Sequence, residues 1–288
     1  LVLEMGMRGL GQIENLSKYS EPDIAVITNI GTAHIGLLGS KKNITNAKCE
    51  ISKFLNPEGV VIIPSNDPFL EKTLKESWKG RVIKVKLLNK ENKKESLKND
   101  DSLRGFYNPS NKTILIEENT FKISFEGFHN ASNFLFVYAV AKELGIDFAS
   151  FNKFDFISLG GRNKILKSVK TTIYDESYNA SPESVRACIK TLLEKPRNKF
   201  FIFGSMQELG EESEKYHEEI FNLINNSDIE KCLFICDKKD EKIYTNYLKD
   251  EKKFLLLNNI EDVPKEINKS TKKGDSILIK GSRCWQLE

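Results

Sequence analysis

Three short segments concentrate the side chains that can move protons, bind phosphate or hold a cation. The first runs Thr28-Asn29-Ile30-Gly31-Thr32-Ala33-His34 and is followed by Ala47-Lys48-Cys49-Glu50-Ile51. The second is Gly127-Phe128-His129-Asn130-Ala131-Ser132-Asn133, and the third is Asp175-Glu176-Ser177-Tyr178-Asn179-Ala180-Ser181-Pro182. His34 and His129 lie in these segments; the remaining histidine, His217, follows a fourth candidate, Gly204–Gly210. Each segment also has an ordinary structural reading. A histidine after a strand is more often packed or solvated than a ligand, and a lysine on an amphipathic helix usually faces water. Asn130 could simply cap a helix, and Tyr178-Asn179 before Pro182 could be a plain turn. Gly31–Gly36 has the glycine spacing of a phosphate loop, but Leu37-Leu38 stand where Lys-[Ser/Thr] is required.

Composition narrows the classes. Hydrophobic residues make up 39% and charged residues 30% of the 288, as in a globular protein able to bury a core. A net charge of +3, with lysines interspersed among Asp and Glu, argues against nucleic-acid binding, which needs a concentrated basic face. No run approaches the roughly 18 apolar residues of a membrane helix. Cys49, Cys188, Cys232, Cys236 and Cys284 are scattered, and Cys232 and Cys236 lie on an apolar run with no nearby histidine. They read as small buried residues in a reducing cytoplasm and not as a zinc site. The sequence opens on Leu1 in what reads as the end of a buried strand, so a longer chain is expected.

The elements that must position these residues follow an α/β alternation. Leu1–Glu4, Ile24–Thr28 and Gly59–Ile63 are expected strands, with helices at Gly11–Tyr19 and Ile44–Leu55. Pro64–Pro68 reads as a loop, and the polar stretch Asn89–Arg104 as a surface loop without chemistry. Thr113–Glu117 and Phe121–Phe125 read as a hairpin turning at Glu118-Asn119-Thr120, and Asn130–Leu144 as a helix stopped by Gly145. Strands are then expected at Thr172–Asp175, Phe200–Phe203, Cys232–Cys236, Phe254–Leu257 and Ser276–Lys280. The helices between them are Pro182–Leu193, Glu211–Ile224, Glu241–Leu248 and Ile260–Asn268. The expected fold is a mostly parallel sheet domain over 1–159, then a Rossmann-like doubly wound domain over 160–288, with the seam near Ser158–Gly161. Ligands in open sheets bind beyond the carboxyl ends of strands, where Glu4, Thr28-Asn29, Asp175-Glu176 and Gly204-Ser205 fall. That favours an enzyme or a nucleotide-binding module.

In order and spacing these segments resemble the Mur ligase family, and within it the branch that adds D-alanyl-D-alanine. The resemblance takes in Val2-Leu3-Glu4-Met5-Gly6-Met7-Arg8, Ile27–Gly31 with His34, Ala47-Lys48 with Glu50-Ile51, His129-Asn130 with Asn133, and Gly161-Arg162. It continues through Asp175–Pro182, Glu208–Glu211, His217 and Ile279–Arg283. The Tyr-Asn-Ala-Xaa-Pro run is the most diagnostic part. Gly160, Ser205 and Cys284 depart from the family, which commonly has Pro, Asp and Gly there. No Gly-rich phosphate loop of the family's kind occurs in these 288 residues, nor does its uridine-nucleotide-holding domain, so this segment alone is expected to be inactive.

The resemblance implies a cytoplasmic, monomeric, ATP- and Mg²⁺-dependent peptide ligase of peptidoglycan precursor synthesis. ATP would phosphorylate the carboxylate of a UDP-N-acetylmuramoyl-tripeptide, and the amine of D-alanyl-D-alanine would attack the acyl phosphate. Glu4, His34 and a carbamylated Lys48 would hold metal, with Lys48, His34 and Arg162 as catalytic residues. His129, Asn130, Asp175, Tyr178 and Asn179 would bind nucleotide, and Lys280 and Arg283 would meet substrate carboxylates. The alternatives are another amino-acid-adding ligase of the family and a non-catalytic nucleotide-binding module.

Overall fold

A computed structural model describes residues 1–89, 101–148, 160–238, 240–245, 247–248 and 252–288. The chain divides into two compact units, Leu1–Phe156 and Ile157–Glu288. Of the expected seam near Ser158–Gly161, Ser158 and Leu159 lie outside the described residues.

The first unit is built on a six-stranded sheet ordered β1-β2-β3-β4-β5-β6. Its strands are β1 (Ile24–Val26), β2 (Val60–Pro64), β3 (Arg81–Asn89), β4 (Leu103–Asn108), β5 (Thr113–Ile116) and β6 (Asn119–Lys122). The first four run parallel, and β5 and β6 close the sheet antiparallel. The pleat of β2 sorts its side chains between two layers. Val61 and Ile63 join a core with Ile13, Ile44, Ala47, Leu70 and Leu74. Ile62 joins the opposite core with Ile114, Phe121, Leu135 and Tyr138. Helices α1 (Gln12–Ser20), α3 (Lys41–Cys49) and α4 (Pro68–Ser77) thus cover one face, and α5 (Phe128–Glu143) the other; the four-residue α2 (Ile35–Leu38) precedes α3.

Local chemistry sets the helix ends. The Ser40 hydroxyl accepts from the Asn43 N–H at 3.1 Å and starts α3. Asp67 caps α4 by accepting from the Leu70 N–H, with Pro68 in the first turn. Gly145, at φ +65°, follows the end of α5, as its position in the sequence suggests.

Several expectations are corrected. Leu1–Glu4 forms no strand: its residues join no ladder, and Leu1, Val2 and Leu3 are exposed. The helix expected over Ile44–Leu55 ends at Cys49 and tightens into a 3₁₀ turn at Glu50–Ser52. The hairpin turns at Glu117-Glu118, not at Glu118–Thr120, since Ile116 pairs with Asn119. Of the polar stretch, Asn89 belongs to β3 and Leu103-Arg104 to β4, while 90–100 lie outside the described residues. Asn130 is not a cap: α5 begins at Phe128, with Gly127 at the N-cap.

The second unit carries a sheet ordered β11-β10-β9-β12-β8-β7. Here β8 (Thr171–Asp175), β9 (Lys199–Gly204), β10 (Ile229–Ile235), β11 (Phe254–Leu257) and β12 (Asp275–Lys280) are mutually parallel. Strand β7 (Lys164–Lys167) lies antiparallel against β8 at the edge, an addition to the expected five. Its four residues are all exposed, so it carries no burial alternation to read. Helices α6 (Pro182–Leu193), α7 (Ser213–Asn225), α8 (Glu241–Thr245) and α9 (Val263–Ser270) connect the parallel strands. Phe200, Ile202, Leu233 and Ile277 fill one side of the sheet with Ile267 of α9. Phe203, Phe221, Phe234, Tyr244 and His217 form an aromatic cluster apart from that core.

Candidate functional site

In the first unit, β1 delivers the chain to Thr28-Asn29, and α3 brings Lys48 back to it. The Lys48 ammonium donates to the Asn29 carbonyl at 2.8 Å, tying the helix to the segment after the strand. The orientation of α3 is secured by Glu50, whose carboxylate is buried at the end of that helix. It accepts from the Gly11 N–H at 2.7 Å and the Glu14 N–H at 3.2 Å. Glu50 therefore neutralises open N–H groups at the start of α1, where the helix dipole favours an anion. This acid, quoted beside Lys48 for its place in the motif, supports structure, and two backbone donors account for its burial.

Glu4, Thr28 and the half-buried Lys48 line one cleft of about 780 Å³, together with Met5, Ile27 and Ile51. His34 is not among its lining residues; it caps α2 in the left-handed region at φ 64°. His129 and Asn130 sit in the first turn of α5, where the Asn130 amide donates to the Glu126 carbonyl at 2.6 Å and is largely buried. The structure therefore brings Glu4 and Lys48 to one cleft, which His34, His129 and Asn130 do not line.

The second unit gathers Arg162, Asp175, Tyr178 and Asn179 around the carboxyl end of β8. Asp175 is 4% exposed, and one of its oxygens accepts from both the Ser177 N–H at 3.1 Å and the Ser177 hydroxyl at 2.5 Å. That closes a tight turn which leaves Tyr178 and Asn179 exposed. The Ser181 hydroxyl and Ser184 then form a reciprocal cap with Pro182 in the first turn, so α6 starts immediately after the loop. Arg162 lies over the Tyr178 ring, its guanidinium carbon 3.8 Å from the centroid, while that of Arg283 is 5.7 Å away. Gly161 makes this approach possible: it holds φ +69°, and a Cβ there would stand 2.7 Å from the Tyr178 nitrogen.

Two residues the sequence reading left without a role, or gave another, complete the loop. Glu176 accepts from the Asn163 N–H at 3.1 Å. Burial raises its carboxyl above the ordinary range, opposed by the Lys280 ammonium, that N–H and the Arg162 guanidinium. Lys280 is 5% exposed and donates to the carbonyls of Asn179 at 3.0 Å and Glu176 at 3.4 Å. It is spent on the loop and is not presented to a substrate carboxylate. Arg283, by contrast, is exposed and paired with Glu288. The signal for Lys280 is a lysine closing the apolar run Ile277-Leu278-Ile279 of a central strand, where an ammonium must find internal acceptors.

His217 is fully buried. Its Nε2 accepts from the Met206 N–H at 2.8 Å while Nδ1 donates to the Ser213 carbonyl at 2.7 Å, which fixes the neutral tautomer. Burial lowers its pKa to about 4. Its task is to hold the Ser205–Leu209 loop at the end of β9. Gln207 N–H bonds to the Ser282 hydroxyl, and the Trp285 indole to the Ser205 carbonyl, on the other flank of that loop.

Comparison with known proteins agrees with this geometry. Residues 1–141 match the Mur ligase middle domain, and residues 161–283 the glutamate ligase domain of the Mur ligases. The UDP-N-acetylmuramoyl-tripeptide–D-alanyl-D-alanine ligase of Bacillus subtilis (strain 168) is 32% identical over 294 residues, covering 100% of this chain and 62% of that protein. The ligase of the same name from a Synechocystis strain is 31% identical over 222 residues, covering 76% of this chain and 46% of the relative. The crystal structure of the MurF ligase of Thermotoga maritima in complex with ADP superposes with a TM-score of 0.79 at 26% identity, covering 100% of this chain and 65% of that one. The chain thus spans about half to two thirds of the length of these relatives. With both domain models matched in the order in which the two sheets are built, the chain belongs to the Mur ligase family.

Proposed function

We propose that this chain provides the middle and C-terminal parts of an ATP-dependent ligase that joins D-alanyl-D-alanine to a UDP-N-acetylmuramoyl-tripeptide in the cytoplasm. One observation carries the reading. The Asp175–Pro182 run, the most branch-specific part of the sequence, is built as a buried turn that holds Tyr178 and Asn179 outward at a strand's carboxyl end. Similarity along the whole of this chain to part of a ligase of that name supports it.

In the reaction the tripeptide carboxylate attacks the γ-phosphorus of ATP, releasing ADP and leaving an acyl phosphate. The dipeptide amine then attacks the acyl carbon; the amide bond forms, phosphate leaves, and the amine loses a proton. Such transfers depend on positioning and charge neutralisation more than on protein nucleophiles. Asp175 suits a ribose hydroxyl and organises the turn, and Tyr178 and Asn179 offer a ring face and an amide to nucleotide or dipeptide. Arg162 would carry two parallel donors to a phosphate. His129 and Asn130 are assigned to the nucleotide as the family resemblance has them.

The cleft donors suit Mg²⁺, which takes oxygen ligands and needs few from protein. Glu4 supplies a carboxylate and Thr28 a hydroxyl to the cleft that Lys48 shares. Bound there, the ion would offset charge on the phosphates. A cationic Lys48 opposes such an ion, whereas its carbamate would supply an anionic oxygen; His34 is assigned to the metal by resemblance.

The test is amide formation by the complete protein carrying these residues, with each amino acid or dipeptide of the pathway offered in turn. Dependence on ATP, tripeptide and D-alanyl-D-alanine together is expected. Preference for a single amino acid would move the chain to another branch, and nucleotide binding without product would make it a non-catalytic module.

A further inference from the structure

The Tyr178 loop is held from two sides, and neither of the side chains that hold it belongs to the proposed ligand contacts. On the β12 side, the Lys280 ammonium spans the carbonyls of Glu176 and Asn179, which bracket Ser177-Tyr178. The Glu176 N–H adds a bond to the Ile279 carbonyl at 2.9 Å, extending the β8–β12 pairing by one residue. On the other side, the Tyr178 N–H donates to the Gly161 carbonyl at 2.9 Å, and the Glu176 carboxylate takes the Asn163 N–H. Arg162 lies between those two anchors, so its backbone is fixed on both flanks.

Burial makes hydrogen bonding obligatory here. Lys280 is 5% exposed, and a buried ammonium is tolerated only with acceptors and a nearby anion. The backbone carbonyls supply the acceptors, and Glu176 also supplies a nearby anion, its carboxylate accepting from the Asn163 N–H next to Arg162 and its carbonyl from Lys280. One acidic residue therefore links the strand lysine to the glycine-led segment that carries Arg162.

We infer that Lys280 and Glu176 are positioning residues, a clamp that holds Arg162 over the Tyr178 ring. The role rests on the proposed function only in giving that stack a use in the ligase site. Without Lys280 the Glu176–Asn179 carbonyls lose their internal donor. Without the Glu176 carboxylate the Arg162 segment loses one anchor, while the Gly161 anchor remains.

The stack has its own signature, because protons of an arginine over an aromatic face are shifted upfield by the ring current. In the 288-residue chain with labelled arginine, the Arg162 side-chain resonances should show this shift, and Tyr178→Leu assigns it. Glu176→Gln keeps an oxygen acceptor for the Asn163 N–H and should retain the shift; Glu176→Ala and Lys280→Met should lose it. Retention of the shift in folded Glu176→Ala, or its absence from the unsubstituted chain, overturns the clamp. Should Lys280→Met fail to fold, Glu176→Ala decides, since it removes a side chain from the edge of the loop and not from the sheet. In the complete ligase, Glu176→Ala should lower kcat about tenfold, the scale of one lost internal hydrogen bond, with Glu176→Gln, which keeps the acceptor, restoring most of it. Loss of the shift with kcat unchanged overturns the positioning role. Absence of ligase activity from the unsubstituted protein overturns the proposed function instead and leaves the resonance test standing.

Discussion

The two units carry their chemically able residues in opposite ways. In the second, Asp175, Glu176 and Lys280 are buried or half-buried, and each is engaged with backbone of the loop they surround. In the first, Glu4 and Thr28 are exposed and Lys48 is half-buried along a cleft, while Glu50 is packed away as a structural anion. A site fixed by internal hydrogen bonds is preorganised and contributes to stability, so its removal costs both folding and function. An open cleft costs little to alter structurally, so its residues should separate activity from stability. Substitutions in the two units can break or sharpen that contrast.

The largest effect is expected at Lys48. In the complete ligase, Lys48→Ala should lower turnover about a thousandfold, the scale of a lost electrostatic contact in a transition state, while the melting temperature stays nearly constant. Short carboxylic acids should restore part of the rate by occupying the space of a carbamate. Near-normal turnover would reduce Lys48 to a surface residue tethered to Asn29 and would erase the contrast from the first unit's side.

Asp175→Ala is the matching experiment in the second unit. It leaves the Ser177 N–H and hydroxyl without their shared acceptor in a buried turn, a loss of about 3 kcal/mol. Denaturant unfolding of the 288-residue chain measures it. A change confined to nucleotide affinity, with stability intact, would mean that the turn is held by its other contacts. Gly161→Ala should cost less, about 2 kcal/mol, by forcing a Cβ into a left-handed position against the Tyr178 backbone. The same denaturation series reads it, and an unchanged midpoint would show that the loop can move aside.

The same contrast governs how much was legible in the sequence. Strand β11 and helix α6 fall where alternation and Pro182 put them, because buried parallel strands and capped helices write their burial into residue type. Strand β7 and the pair α4–β3 escaped: β7 is wholly exposed, and β3 mixes Arg81, Lys84 and Lys86 into a strand whose buried residues are Val85 and Leu88. At the sites, strand ends pointed to Asp175 and Tyr178, since chemistry there follows from topology. The structural duty of Glu50, Glu176 and His217 was not legible, because each depends on backbone donors or carbonyls that lie elsewhere in the sequence.

The smallest effect is a pH dependence, and it tests whether burial in the second unit extends to its aromatic cluster. His217 is neutral in the folded protein, with its pKa lowered to about 4 by burial, against about 6.5 when unfolded. For a base with a depressed folded value, the unfolded chain takes up protons first as pH falls. The stabilisation is therefore complete above about pH 6.5 and declines below it, down to about pH 4. Between pH 7 and 5.5, above the range of most carboxylates, the loss should be about 1 kcal/mol. Glu176 acts with the opposite sign, because an acid whose folded pKa is raised favours the folded state as pH falls. The comparison that isolates the histidine is therefore between the unsubstituted chain and His217→Gln, whose amide can accept from the Met206 N–H and donate to the Ser213 carbonyl. Subtracting the two stability profiles should leave a slope attributable to one proton. Equal slopes would mean that His217 titrates alike in both states, and that the loop after β9 opens readily enough to hydrate it.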